Sequence, residues 1–288
     1  MAPSLASRPL TRRSLSNDLY QTPTHFLLEL IQNADDNTYD ENVTPCLSIV
    51  YRKGVMAIAC TERGFTKRNV EAICRICQST KSGRSKSGGF VGEKGIGFKA
   101  VFKVASSVSI SSGHYSFRFD RDGHLGMIAP VWDESLKKWP GNTMITLKLD
   151  KDCDEDRIVE ELRSYDERSL LFLRRLRNLT LVAELGGLLG NRSFRTELSR
   201  RGESAAAAST MVLKRNGVEK HYFVWRHMAE KLPVETLRPG ISSSEIVLAF
   251  PYTIDEKGEL RPVIESQHAY AFLPVRDAGF PVSTTPSS

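Results

Sequence analysis

The chain has 288 residues but no disulfide framework: its five cysteines (Cys46, Cys60, Cys74, Cys77 and Cys153) are odd in number and scattered, which excludes the stapled small-domain class. Cys74 and Cys77 form a lone C-x-x-C, yet no second pair or nearby histidine completes a zinc site. Two half-buried thiols on a helix is the simpler reading. The N-terminal MAPSLASRPLTRRSLS carries arginines without an apolar segment, so it is not a secretory signal. The most hydrophobic stretch, LTLVAELGGLLG, is too short and too rich in glycine to span a bilayer. No internal repeat and no G-x-x-x-x-G-K-[ST] loop occurs. These absences leave an intracellular protein, cytoplasmic or nuclear, with no membrane partner.

What is present fits an ordinary globular composition, with 40% hydrophobic and 26% charged residues. The length suits one large or two medium domains. A net charge of +6 points towards polyanions, whether nucleotide, nucleic acid or acidic lipid. Thr22-Pro23 offers a helix start, and Phe26, Leu27, Leu30, Ile31 and Ala34 recur at helical spacing, predicting a helix over 23–37. CLSIVYRKGVMAIAC reads as a hairpin around Arg52-Lys53-Gly54. Residues 67–77 are helical, with Val70, Ile73, Cys74 and Cys77 on one face, and strands follow at about 106–111, 115–119 and 143–149. Residues 155–177 read as one long charged amphipathic helix, after which short strands alternate with loops.

Two segments suggest chemistry. On the first helix Glu29, Gln32, Asn33 and Asp36 form one stripe opposite the apolar set, with no cation among them. An amide oxygen can ligate a hard cation such as Mg2+, and a carboxylate one turn away can orient or deprotonate water. A solvated helix face accounts for the same pattern. The second segment is GGFVGEKGIGFKAVF, residues 88–102, where Gly92, Gly95 and Gly97 allow backbone amides to approach an anion just before a helix begins. Its order is G-x-x-G-x-G, without a strand leading into it, so it is not a dinucleotide fingerprint; a flexible helix-capping loop is the alternative. From Thr61 to Lys103 ten basic residues face only Glu62, Glu71 and Glu93, a local excess larger than that of the whole chain. That surface is either a phosphate-facing lid or merely solvated. Its sparse aromatics do not favour a stacking platform for single-stranded nucleic acid.

Taken in order, these segments resemble the GHKL (Bergerat-fold) ATPase superfamily, which includes the ninety-kilodalton heat-shock chaperones. ELIQNADD is similar to its first box, STKSG to the start of the chaperone lid, VGEKGIGFKAVFKVAS to the glycine box, and NTMITL to the closing threonine strand. LYQTPTHFLLELIQNADDNTY, GFTKRNVEAIC and AFLPVRD look most like the branch containing sacsin and NO VEIN, fungal proteins among them. The resemblance implies an α/β Bergerat-type two-layer sandwich, a mixed and mainly antiparallel sheet with helices on one face, followed by a partial second α/β domain. Its divisions would be a polar leader over 1–20, an ATP-binding domain over 21–150, a connecting helix over 151–178 and a middle-domain-like region over 179–288 whose end looks truncated.

It also implies roles. Glu29 would position water for attack on the γ-phosphate, Asn33 would ligate Mg2+, and Asp36 would lie near the sugar–base end. Gly92, Gly95 and Gly97 would admit the phosphates, with the Ile96 and Phe98 amides as donors. Lys81 would approach from the lid, and Thr143 would help hold adenine. The second box departs from the usual D-x-G-x-G: in Cys60-Thr61-Glu62-Arg63-Gly64-Phe65, Glu62 and Gly64 fit the branch variant while Thr61 does not. The implied cofactors are ATP and Mg2+, and the implied activity is slow hydrolysis that drives a conformational or chaperone-like cycle. Protein clients or the remainder of a larger chain would be its partners. An inactive scaffold module, or a basic nucleic-acid-associated one, is the alternative.

Overall fold

A computed structural model describes residues 25–81, 101–124, 129–137, 141–185, 192–202, 207–232, 242–271 and 273–281. The glycine segment, with Gly92, Gly95, Ile96, Gly97 and Phe98, lies outside these residues. The described chain begins with helix α1 (His25–Asp36), then β1 (Cys46–Arg52), β2 (Val55–Cys60) and helix α2 (Lys67–Lys81). A helical turn, α3 (Val101–Val104), leads into β3 (Ala105–Ser112), β4 (Tyr115–Asp120), β5 (Val131–Trp132) and β6 (Thr143–Leu149). Helix α4 (Glu155–Arg163) and a 3-10 turn (Glu167–Leu171) precede β7 (Asn178–Glu184), β8 (Phe194–Arg201), β9 (Ala208–Arg215) and β10 (Val218–Glu230). The last strands are β11 (Ser243–Ile254), β12 (Leu260–Pro262), β13 (Ser266–Ala271) and β14 (Leu273–Pro281).

Twelve of these strands form one mixed sheet, in the order β12-β11-β10-β9-β8-β7-β1-β2-β6-β3-β4-β5, while β13 and β14 pair with each other. The fold is therefore α/β, with few helices and a mostly antiparallel sheet. Its one parallel pairing among the described strands, β1 with β7, runs in register from Cys46↔Asn178 to Arg52↔Glu184. The β1–β2 hairpin closes through Lys53 and Gly54, both at positive φ, the geometry a two-residue turn requires between right-twisted strands. Asn216-Gly217 does the same between β9 and β10.

Alternation in the strands sends Leu47, Ile49 and Tyr51 of β1 and Leu179 and Leu181 of β7 inwards. They join one continuous core with the apolar stripe of α1, Val70 and Ile73 of α2, Ile158, Val159 and Leu162 of α4, and Met211, Leu213, Tyr222 and Val224 of the following strands. Thr66 starts α2 by a reciprocal cap: its Oγ1 accepts from the Asn69 amide at 3.4 Å, while its own amide donates to Asn69 Oδ1 at 2.8 Å.

The expected helix over 155–177 is much shorter. Asp154 caps α4 by accepting from the Arg157 amide at 3.0 Å, but Ser164 ends it, its hydroxyl donating to the Glu160 carbonyl at 2.7 Å. Asp166 then accepts from the Arg168 amide at 2.9 Å and starts the 3-10 turn. Short polar side chains take over backbone partners here and interrupt the helix. The helical periodicity persisted in the sequence because Leu170, Leu171, Leu173 and Leu176 all reach the core through the 3-10 turn and the bend after it. The later strands are also longer than expected, thirteen residues in β10 and twelve in β11. One face of this pair leaves Phe223, Trp225, Ile246 and Leu248 exposed.

Because β7 pairs with β1 on one side and β8 on the other, truncation at its centre should be felt throughout the sheet. Leu181→Ala removes a fully buried side chain and should cost about 2–5 kcal/mol. Urea unfolding followed by circular dichroism should show a single transition shifted to lower denaturant. Two transitions, one of them unshifted, would contradict a shared core.

Candidate functional site

The strand ends at Cys60, Thr143 and Ser112 meet side by side. Thr143 opens β6 between its partners Cys60 on β2 and Ser112 on β3. Ser112 Oγ accepts from the Phe65 amide at 2.8 Å and shares a hydrogen bond with Thr143 Oγ1. Thr143 and Ser112 are both buried. The segment after β2 is pressed against the β3–β4 turn at Gly64, where φ is +95° and an added Cβ would stand 3.2 Å from the Gly113 nitrogen. A side chain there would meet both an unfavourable backbone conformation and a backbone atom. Glu62 lies between, only 6% exposed. Three residues of the expected nucleotide site, Glu62 and Gly64 of the second box and Thr143, thus fall at the same end of the central strands.

Thr61, the departure from the branch pattern, has a backbone task. Its hydroxyl accepts from the Cys46 amide and donates to the Thr44 carbonyl, both at 2.9 Å. It therefore extends the pairing at the start of β1.

The C-terminal end of α1 is tied to this same segment. Tyr39 donates its hydroxyl proton to the Ala34 carbonyl at 2.6 Å and lies 3.2 Å from Cys60 Sγ. With that proton committed, the Cys60 thiol is left as the donor to the phenol oxygen. The Arg63 amide donates to the Thr38 carbonyl at 3.0 Å, and the Arg63 guanidinium pairs with Asp40 at 2.5 Å. Burial pushes the Cys60 thiol up to about 11, with neighbouring Glu62 acting in the same direction. Burial, reinforced by Cys60, pushes the Tyr39 phenol up as well. Neither group ionises near neutrality, so Cys60 is a packing thiol there and not a thiolate.

On the α1 stripe Glu29 and Asn33 are half-buried and Asp36 is exposed. The Asp36 carbonyl accepts from Arg175 Nη1 at 3.1 Å, and the Asn37 carbonyl from the same nitrogen at 2.7 Å. A cation there suits the negative end of a helix. Lys81 closes α2; the glycine residues expected to admit phosphates lie outside the described residues. Among the described residues no group of three or more His, Cys, Asp or Glu is placed to hold a metal, and no helix is long and apolar enough to cross a membrane.

The residue that sequence reasoning missed is Asp35. It is 3% exposed, and its carboxylate accepts three consecutive amides: Arg174 on Oδ2 at 2.8 Å, then Arg175 at 2.7 Å and Leu176 at 2.8 Å on Oδ1. A signal existed, since Asp35 follows Leu27 and Ile31 at helical spacing and so falls on the apolar side of α1. Elsewhere, a cleft of about 510 Å³ lies between the 3-10 turn and β9–β10, lined by Tyr165, Asp166, Glu167, Arg168, Arg215 and Lys220 among others. Its charges pair internally, with Glu167 accepting from Lys220 at 2.9 Å and Arg215 at 3.0 Å.

No family model matches the chain. It is similar to Protein NO VEIN of Arabidopsis thaliana. The two are 34% identical over an alignment of 291 positions that covers 92% of this chain and 10% of that protein. It is more weakly similar to the Chaperone protein HtpG of Rhodopseudomonas palustris (strain BisB5), 28% identical over an alignment of 180 positions that covers half of this chain and 29% of that protein. The chain therefore spans about a tenth of the first relative and less than a third of the second.

The buried Cys60–Tyr39 pair makes stability depend on alkaline pH. A folded pKa raised to about 11 from 9.0 favours the folded state fully below pH 9, and that contribution disappears as pH rises to 11. Unfolding free energy should fall by up to ~2–3 kcal/mol across this window, with Tyr39 adding to the loss at higher pH. Cys60→Ala should start less stable yet show a flatter profile from pH 9 to 11; an unchanged slope would count against a buried titrating thiol.

Proposed function

We propose that the chain carries a GHKL-type ATP-binding domain, with a Bergerat-type arrangement of α1 and α2 against the sheet, and that it hydrolyses ATP slowly with Mg2+. The observation that carries this reading is the meeting of Glu62, Gly64 and Thr143 at one end of β2, β6 and β3, beside the end of the helix bearing Glu29 and Asn33. The similarity to HtpG, a chaperone by name, supports it, as does the similarity to NO VEIN.

Each residue then has a chemical task. The Glu62 carboxylate is an acceptor suited to the exocyclic amino group of adenine, and the Ser112–Thr143 hydroxyl pair supplies further polar contacts at that end. Asn33 offers a neutral amide oxygen, a donor suited to Mg2+; with no acidic cage among the described residues, phosphate oxygens and water would complete the shell. The metal's contribution is to neutralise phosphate charge. Glu29 accepts a proton from, or orients, the attacking water. Asp36 lies towards the sugar–base end. Lys81, Gly92, Gly95 and Gly97, with the Ile96 and Phe98 amides, would surround the phosphates, a role assigned on the sequence pattern alone. Positioning and charge neutralisation supply most of such catalysis.

The nucleotide domain is assigned to residues 21–150, residues 151–178 connect it to the region 179–288, and β7 adds the latter's first strand to β1. Hydrolysis then drives a conformational, chaperone-like cycle that acts on protein clients or on the rest of a longer chain. A second reading, a nucleotide-free interaction module, is favoured by Thr61, which departs from the branch variant of the second box and is occupied with Cys46 and Thr44.

Phosphate release under saturating Mg2+ and ATP separates the two readings. Glu29→Ala should lower turnover at least a hundredfold while ATP still binds, and Asn33→Ala should weaken both. Normal hydrolysis by Glu29→Ala would remove it as the base. Absence of ATP binding at millimolar concentration would leave the interaction module.

A further inference from the structure

We propose that Asp35 is a positioning residue for the nucleotide chemistry on α1, and that Arg200 completes the arrangement from β8; the inference rests on the nucleotide reading above. Asp35 belongs to the same helix as Glu29 and Asn33 but points the other way, into the protein. Its carboxylate gathers the amides of Arg174, Arg175 and Leu176, all within 2.8 Å. Three successive N–H groups converging on one anion form a concave nest that fixes the carboxylate in direction as well as distance. Arg175 then turns its guanidinium back onto the carbonyls of Asp36 and Asn37.

The opposite side of that bend is held by Arg200, itself only 2% exposed. Its Nη1 donates to the Leu173 carbonyl at 2.6 Å and its Nη2 to the Arg174 carbonyl at 3.3 Å, while its own amide donates to the Arg177 carbonyl at 2.8 Å. The segment 173–177 is thus gripped by a carboxylate on its N–H side and a guanidinium on its C=O side. α1 meets β8 through this bend.

The geometry gives the grip leverage. Glu29 is six residues from Asp35, ~9 Å along a helix rising 1.5 Å per residue. A tilt of ~10° about the anchored end would displace Glu29 by ~1.5 Å, and misplacements near 1 Å cost about 100-fold in rate. Asparagine at position 35 keeps the volume but offers a single oxygen. It satisfies Arg175 and Leu176 and sets an NH2 group against the Arg174 amide, donor against donor.

The test uses the full chain. Wild type is first titrated with Mg2+ and ATP; absence of binding overturns the nucleotide reading, and this inference with it, before any variant is made. With binding established, hydrogen exchange over residues 173–177 should slow on addition of Mg2+ and ATP. An unchanged rate there overturns the inference and leaves the nucleotide reading standing. Asp35→Asn should bind ATP within about fivefold of wild type, keep its KM, and lose at least ~30-fold in kcat. Arg200→Lys, which retains charge but offers one donor centre, should shift kcat in the same direction by a smaller factor. Wild-type kcat in Asp35→Asn, or a rise in KM with kcat intact, contradicts a positioning role. If Asp35→Asn does not fold, the exchange measurement on wild type and the kcat of Arg200→Lys decide.

Discussion

A carboxylate buried at the end of the first helix holds together parts of the chain some 140 positions apart. Asp35 would carry a penalty of several kcal/mol if it were buried without partners. Three backbone amides from residues 174–176 offset that cost, and the carboxylate in turn supplies the acceptor that these donors of the bend would otherwise lack. Arg200 meets the complementary need of the carbonyls at 173 and 174. Neither charge touches the other; each is matched to the backbone between them. Replacing one alone would strand both its own amides or carbonyls and the order of the bend.

From that anchor the rest of the arrangement follows. The bend delivers the chain into β7, which lies parallel to β1 and joins the two halves of the sheet. On the far side of β1, β2 ends at Cys60, and there Tyr39 and Thr38 fasten α1 to the segment bearing Glu62 and Gly64. The first helix is therefore fixed on two sides at one end: by Asp35 and Arg175 towards the bend, and by Tyr39 towards the second box. The stripe with Glu29 and Asn33 is carried on a helix whose orientation depends on both attachments.

Much of this was legible in the sequence where periodicity and turn chemistry agree. The apolar spacing of α1, the Lys53-Gly54 hairpin and the strand at 143–149 all appear close to their expected places. The long helix over 155–177 did not, because Ser164 and Asp166 redirect backbone hydrogen bonds while the leucines keep a helical rhythm. Ser112 was invisible: a serine beside a glycine turn gives no hint that its hydroxyl will receive the Phe65 amide from 47 residues away. Asp35 was overlooked for its exposed neighbour Asp36, since residue type alone does not separate two adjacent acids. Their position relative to Ile31 does. For the glycine segment the sequence pattern remains the basis of its assignment; the likeness to NO VEIN covers 92% of the chain and that to HtpG half of it.

The central claim, that the buried end of β2, β6 and β3 receives an adenine base, is tested most directly by calorimetric titration of the wild-type chain with ATP and GTP in Mg2+. A carboxylate at Glu62 would accept from the amino group of a bound adenine and would face an acceptor oxygen at the corresponding place on guanine. Saturable ATP binding, at least tenfold tighter than GTP, is the predicted result. Equal affinity for the two nucleotides, or no saturable binding of either at millimolar concentration, would contradict it.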